Sequence, residues 1–216
     1  MYKTKLMNLK KHSSNYSELE YLLYKIALHC APTLMREKPS SLVCLKGNYR
    51  DHSLIEIWER WKGKLSLILP LSYYELSRCE NHIVILFYHP DWMDHILNHE
   101  EIRCFLCHKG YSSCQNMIES LEMLRCRFKD TCPHEVGVFL GYPIKDVIEF
   151  NEDTQKEALA VGYWKVYNDL QHALETFKRY DHARDLFTHA MTCGMNPSKA
   201  IRNLSVRNHT LQIIHN

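Results

Sequence analysis

Hydrophobic positions recur along this chain in two periods, and the alternation between them sets out the elements. Ser17-Glu18-Leu19-Glu20 spells a capping box, and Leu19, Leu22, Leu23, Ile26 and Ala27 follow at helical spacing, so a helix is expected to run up to Pro32. Ser41 to Leu45 is a short apolar run with strand character. Asp51 is positioned to cap a helix carrying Leu54, Ile55, Trp58 and Trp61, closed by Gly63. Leu65 to Leu71 and His82 to Tyr88 read as two strands joined by a polar loop, hence an antiparallel pair.

Beyond them, Asp91 starts a helix containing Trp92, Met93, Ile96 and Leu97, and Ser113 caps one containing Met117, Ile118, Leu121 and Leu124. Pro133 suits a first helical turn, with Thr131 or Cys132 as the cap. Val136, Val138, Phe139 and Leu140 continue that short helix until Gly141-Tyr142-Pro143 stops it. A second short helix opens near Asp146 and buries Val147, Ile148 and Phe150. Val161 to Tyr167 is rich in β-branched and aromatic residues and is expected as a strand. Asn168 or Asp169 then opens the longest helix, with a stripe of Leu170, Ala173, Leu174, Phe177, Leu186, Phe187 and Ala190 ending near Gly194. Strands and helices interleave without regular βαβ spacing. The fold class expected is α+β: one domain over residues 18–193, with a mixed or antiparallel sheet of about four strands packed with helices. Residues 1–17 are expected as a basic extension and 194–216 as a basic tail.

Composition changes this picture little. The chain has 216 residues, 45% of them hydrophobic and 24% charged, as ordinary folded domains do. Its net charge is only +2, but Lys3, Lys5, Lys10 and Lys11 precede the first acid and Lys199, Arg202 and Arg207 follow the last. Basic ends thus flank an acidic body, a pattern that can contact nucleic acid or acidic partners. A charged N-terminus without an apolar run, and no apolar stretch of membrane-spanning length, point to a cytoplasmic protein. Its nine cysteines are then expected to be reduced thiols.

Five patterns carry candidate chemistry. The unit 134–150 is spaced like a helix-turn-helix, yet its second helix offers Lys145 beside Asp146 and Glu149, followed by Glu152 and Asp153, a poor face for phosphates. Cys104, Cys107 and His108 form CxxCH, the attachment pattern of c-type haem. The same pair could open a zinc or iron–sulfur site with Cys114, or with Cys126 and Cys132. His95 and His99, four apart, share a helix face and could ligate a metal. Cys132, at a helix N-terminus with His134 two residues on, is the best reactive-thiol candidate, whereas Cys30 beside His29 at a helix C-terminus is a poor one. Finally, Lys165 is flanked on one strand face by Tyr163 and Tyr167, a setting for an anionic or planar ligand. Neither a glycine-rich phosphate loop nor GxSxG is present.

Three blocks together carry a resemblance. His29-Cys30-Ala31-Pro32-Thr33-Leu34 with Lys38-Pro39, Pro133-His134-Glu135 through Gly141-Tyr142-Pro143 with Asp146-Val147, and Gly162 to Tyr167 resemble a bacterial domain of unknown function, family 3793, over about Leu22 to Tyr180. This chain departs from that family's pattern at Cys132, where phenylalanine is frequent, and at Tyr180 to Arg184, where members carry a cysteine-rich segment. The resemblance implies no activity, cofactor or catalytic residue. The function expected from the residues is binding of a small anionic ligand, a metal or haem (zinc, iron or haem as cofactor), with His29, Lys38, His134, Glu135, Tyr163, Lys165 and Tyr167 as the polar lining. The alternatives are a DNA-associated regulator using residues 134–150, and a thiol or acid–base enzyme using Cys132 and His134.

Overall fold

The computed structural model describes residues 15–129 and 131–214, and their side chains as far as residue 206. The basic extension expected over 1–17 therefore lies outside the described residues up to position 14. Its centre is a three-stranded antiparallel sheet in the order β1-β5-β4, formed by Ser40–Lys46, His82–Tyr88 and Ser72–Arg78. β5 reads as an unbroken apolar run because helices cover both faces of the sheet. Ile83, Ile85 and Phe87 enter one core with Val43 and Leu45, while Leu86 and Tyr88 enter the other with Leu76.

The first core is closed by α1 (Glu18–Leu34), α2 (Leu54–Trp61), α8 (Leu170–Thr192) and α9 (Pro197–Ile214). The second is closed by α3 (Pro90–Leu97), α4 (Glu100–Leu106), α5 (Met117–Arg127), α6 (Val136–Phe139) and α7 (Ile144–Glu152). Two small hairpins complete the strands among the described residues: β2 with β3 (Asn48–Tyr49, His52–Ser53) and β6 with β7 (Ala160–Val161, Lys165–Val166). The α+β class holds, with one three-stranded sheet and two ribbons in place of a single sheet of about four strands.

Several boundaries differ from expectation, each for a local reason. α1 runs through Pro32, since a proline in the last turn removes only one hydrogen bond. Ser53, not Asp51, caps α2: its hydroxyl accepts from Glu56 N at 3.1 Å while Glu56 accepts from Ser53 N at 2.8 Å. A 3₁₀ turn over Lys62–Leu67 carries the chain past Gly63. The strand expected over Leu65–Leu71 instead occupies Ser72–Arg78. This is an edge strand whose polar side chains pair with Trp58, Glu59 and Lys62, so its sequence lacks the apolar signal. Asn116, not Ser113, caps α5. The segment expected as a tail after Met195 forms α9 and buries Ala200, Ile201 and Leu204 in the first core.

Candidate functional site

The three motif blocks meet at one junction. The strand expected over Val161–Tyr167 is a tight hairpin that turns at Gly162, where a Cβ would stand 2.2 Å from the Phe177 ring. Trp164 and Val166 turn inward, as the expected alternation required, and Trp164 stacks on Tyr142 with centroids 5.1 Å apart. Gly141 adopts φ +73° with a Cβ position 2.5 Å from the Pro39 ring, so only glycine lets the α6–α7 turn close on the segment after α1. That segment is pinned by Ser40 Oγ donating to Phe139 O at 2.7 Å and by His89 N donating to Pro39 O at 3.0 Å.

Asp146, 3% exposed, fastens the third block to the second. Its carboxylate accepts from Trp164 Nε1 at 2.8 Å, from Tyr167 N at 3.1 Å, and from Asn168 N and Nδ2 at 3.0 and 2.8 Å. A carboxylate with four donors is satisfied and has a structural task.

Lys38 is treated differently. It is 6% exposed, and its ammonium lies 5.3 Å from the centre of the Tyr142 ring and 5.5 Å from that of Tyr180. Among the described residues no carboxylate pairs with it and no hydrogen bond reaches it. Burial holds its pKa down to about 8; buried Cys30 works in the opposite direction and the Arg184 charge adds to the lowering. Arg184 stands over the Tyr163 ring at 4.7 Å, and its Nε is enclosed without a partner. Tyr163 packs edge-on against Tyr180 at 4.9 Å, so Lys38, Tyr180, Tyr163 and Arg184 form a continuous row. His29 stands at the exposed rim, where crowding by protein atoms, then Lys25 and Arg184, lower its pKa. The carboxylates closest to this row are already engaged: Asp181 accepts from Tyr163 Oη at 2.8 Å, and Glu37 pairs with Arg179 at 3.2 Å. Burial pushes Tyr142 up to about 12, and it raises Tyr180 as well, so both remain phenols at neutral pH. On the other side of Pro39, Gly141, Trp164, Tyr180 and Arg179 line a cavity of about 180 Å³.

The residues expected to line a site are thus divided. His29, Lys38 and Tyr163 share the cationic row. His134 is exposed, with its ring 4.7 Å from that of Phe150, and the Lys165 ammonium lies 5.3 Å from the centre of the same ring while donating to Thr154 O at 2.9 Å. Glu135 is buried between Arg127 and the Tyr111 hydroxyl. The Tyr167 hydroxyl is enclosed without a partner, under Lys156. Tyr142, Tyr180 and Arg184 are absent from the expected lining, although Tyr142 lies in a motif block and Tyr180 to Arg184 mark the departure from the family's pattern. For Tyr180 and Arg184 the signal was an arginine four residues after a tyrosine on α8, where Phe177, Tyr180, Ala183 and Phe187 are buried and Arg184 is half-buried beside them.

Other candidates find different surroundings from those expected. Cys132 precedes a series of tight turns, not a helix, because α6 begins only at Val136. Desolvation and then Glu135 push its thiol up instead of down. Cys30 lies inside α1, fully buried, with its thiol raised by burial. Cys104, Cys107 and Cys126 are exposed free thiols, and His108 Nδ1 contacts Cys104 O at 2.8 Å. His95 and His99 are exposed. No three His, Cys, Asp or Glu side chains converge as metal ligands among the described residues. In the helix-turn-helix-like unit, α6 is a single turn and α7 buries Asp146 and Val147 and pairs Glu149 with Lys156.

Fold and site together define an α+β protein whose antiparallel sheet is helix-clad on both faces and whose three motif blocks enclose a cationic, tyrosine-lined row. The chain belongs to the family of proteins of unknown function DUF3793, whose model matches residues 26–201. No curated protein and no solved structure matches it. No helix among the described residues is long and apolar enough to cross a membrane.

Proposed function

We propose that the protein binds a small anion between Lys38 and Arg184. One observation carries this reading: the Lys38 side chain is buried and the Nε of half-buried Arg184 is enclosed, yet no acid among the described residues pairs with either. A buried ammonium without a counter-ion destabilises a fold, and an anionic ligand is the partner that would compensate it. The tyrosines supply flat walls that suit a planar anion, and Arg184 supplies a fork that can hold a carboxylate or phosphate by two bonds. The nucleic-acid alternative gains nothing from α7, whose single cation is Lys145 and whose neighbours on the helix are acidic. The thiol alternative gains nothing from Cys132, given the direction of its shift.

The test is calorimetric titration of the full chain with inorganic phosphate, acetate, pyruvate and adenosine monophosphate at low ionic strength. At least one of these anions should bind, with affinity reduced about tenfold or more, equivalent to about 1.4 kcal/mol, in Lys38→Met and in Arg184→Gln. Equal affinity in the parent chain and Lys38→Met, or no binding by any anion, counts against the site.

A further inference from the structure

We propose that Lys38 is a nucleophile that forms a Schiff base with the carbonyl group of a small α-oxo carboxylate whose carboxylate is held by Arg184. This rests on the anion-binding reading and specifies its ligand class. An anion alone would be served at least as well by a second guanidinium, which is always charged and forked. Lysine differs in that its nitrogen can lose a proton and then has a lone pair. A lysine desolvated beside another cation is the setting in which an amine becomes nucleophilic.

The surroundings of Lys38 fit that role. No carboxylate among the described residues holds its proton, and the Arg184 charge favours the neutral amine. Its nitrogen faces the Tyr142 and Tyr180 rings, whose π-faces accept no covalent chemistry and leave the lone pair unengaged. Arg184, reached through the Tyr180–Tyr163 contact, is the adjoining cation with a free buried N–H. In an α-oxo acid the carboxylate is bonded directly to the carbonyl carbon, so one small molecule presents an anion and an electrophile to two neighbouring cations.

The step balances without a redox partner. The neutral amine attacks the carbonyl carbon and forms a C–N bond. The former carbonyl oxygen takes up protons and leaves as water, and the C=N bond keeps one positive charge, the charge that the lysine carried beforehand. An iminium beside Arg184 and a bound carboxylate leaves the site less positively charged than before binding.

Reductive trapping decides it. The full chain is incubated with pyruvate, glyoxylate or 2-oxoglutarate and reduced with borohydride, with lactate as the carbonyl-free control, and adducts are located by peptide mass mapping. The expected result is one reduced adduct per chain on Lys38 with at least one oxo acid, formed about tenfold or more faster than on any other lysine, as a lowered amine pKa implies. The adduct should disappear in Lys38→Met and Lys38→Arg, slow about tenfold in Arg184→Gln, and not form with lactate. Adducts spread evenly over exposed lysines such as Lys145 would overturn the proposal, as would anion binding without any Lys38 adduct. In the latter case Lys38→Arg should still bind anions, and the simpler reading survives. Failure of both trapping and titration removes both readings.

Discussion

Asp146 and Lys38 are two charged side chains, each more than nine-tenths buried at the junction of the same motif blocks, and the fold treats them oppositely. Asp146 receives four hydrogen bonds from Trp164, Tyr167 and Asn168. Lys38 receives none and faces two aromatic rings and a second cation. A buried charge with every lone pair engaged has a purpose inside the fold, because its partners are the loop it organises. A buried charge held only by ring faces, with neither a hydrogen bond nor a counter-ion, organises no loop, and its retention points to a reason outside the folded chain. Motif density alone does not separate these cases, since both residues lie in the blocks that make this chain recognisable.

Removing Asp146 gives the largest expected effect. Asp146→Ala strands four donors, two of them backbone amides, at a buried position. A loss of about 3–5 kcal/mol in unfolding free energy is expected. Urea denaturation measures it. A loss below about 1 kcal/mol would mean that water replaces the carboxylate and that Asp146 is no more structural than Lys38.

Lys38 should behave in the opposite sense. Its unfolded amine titrates near 10.5 and its folded amine near 8, so the folded chain binds fewer protons between those pH values and stability rises with pH across that window. Below pH 8 both states are charged and the penalty is complete. Lys38→Met removes it, and at pH 7 the variant should be more stable than the parent by about 2–3 kcal/mol while losing anion binding. The groups facing the amine are Cys30 on α1, Tyr180 and Arg184 on α8 and Tyr142 in the α6–α7 turn; all remain in the variant, so the difference between the two pH profiles isolates Lys38. A variant less stable than the parent at pH 7 would place Lys38 with Asp146 as a structural charge.

How much of this was legible follows from which physical signals are local. Capping boxes and 3.6-residue stripes are local, so α1 and α8 could be read from the chain almost to the residue. β4 could not, because an edge strand with ion-paired side chains resembles a loop in sequence. α9 was missed because, among its described side chains, only Ala200, Ile201 and Leu204 are buried in the core along a mostly polar stretch. At the site, the motif blocks point to Lys38 and Tyr163 as members of one polar lining. Arg184 was invisible, since its significance lies in what it lacks, and a missing counter-ion cannot be seen before the neighbours are placed. For His134, Glu135 and Lys165 the reverse holds. Their polarity suggested a lining, yet each found a partner: a ring, an arginine with a tyrosine, and a carbonyl.

The smallest of the three effects tests whether the two charges depend on one junction. Gly141→Ala places a methyl at φ +73°, where an L side chain is strained, and against the Pro39 ring at 2.5 Å. Pro39 must shift, and it adjoins Lys38, while Tyr142 on the other side of Gly141 carries both the Lys38 contact and the Trp164 stack. A loss of about 2 kcal/mol is expected, together with severalfold weaker anion binding, because the amine is displaced from between its two rings. Combining it with Lys38→Met separates the contributions. If the strain acts through Pro39 on the lysine, the double variant should be more stable than additivity predicts, since methionine yields where a caged ammonium does not. Strict additivity would instead mean that the Asp146 loop absorbs the displacement and that the cationic row is mechanically independent of it.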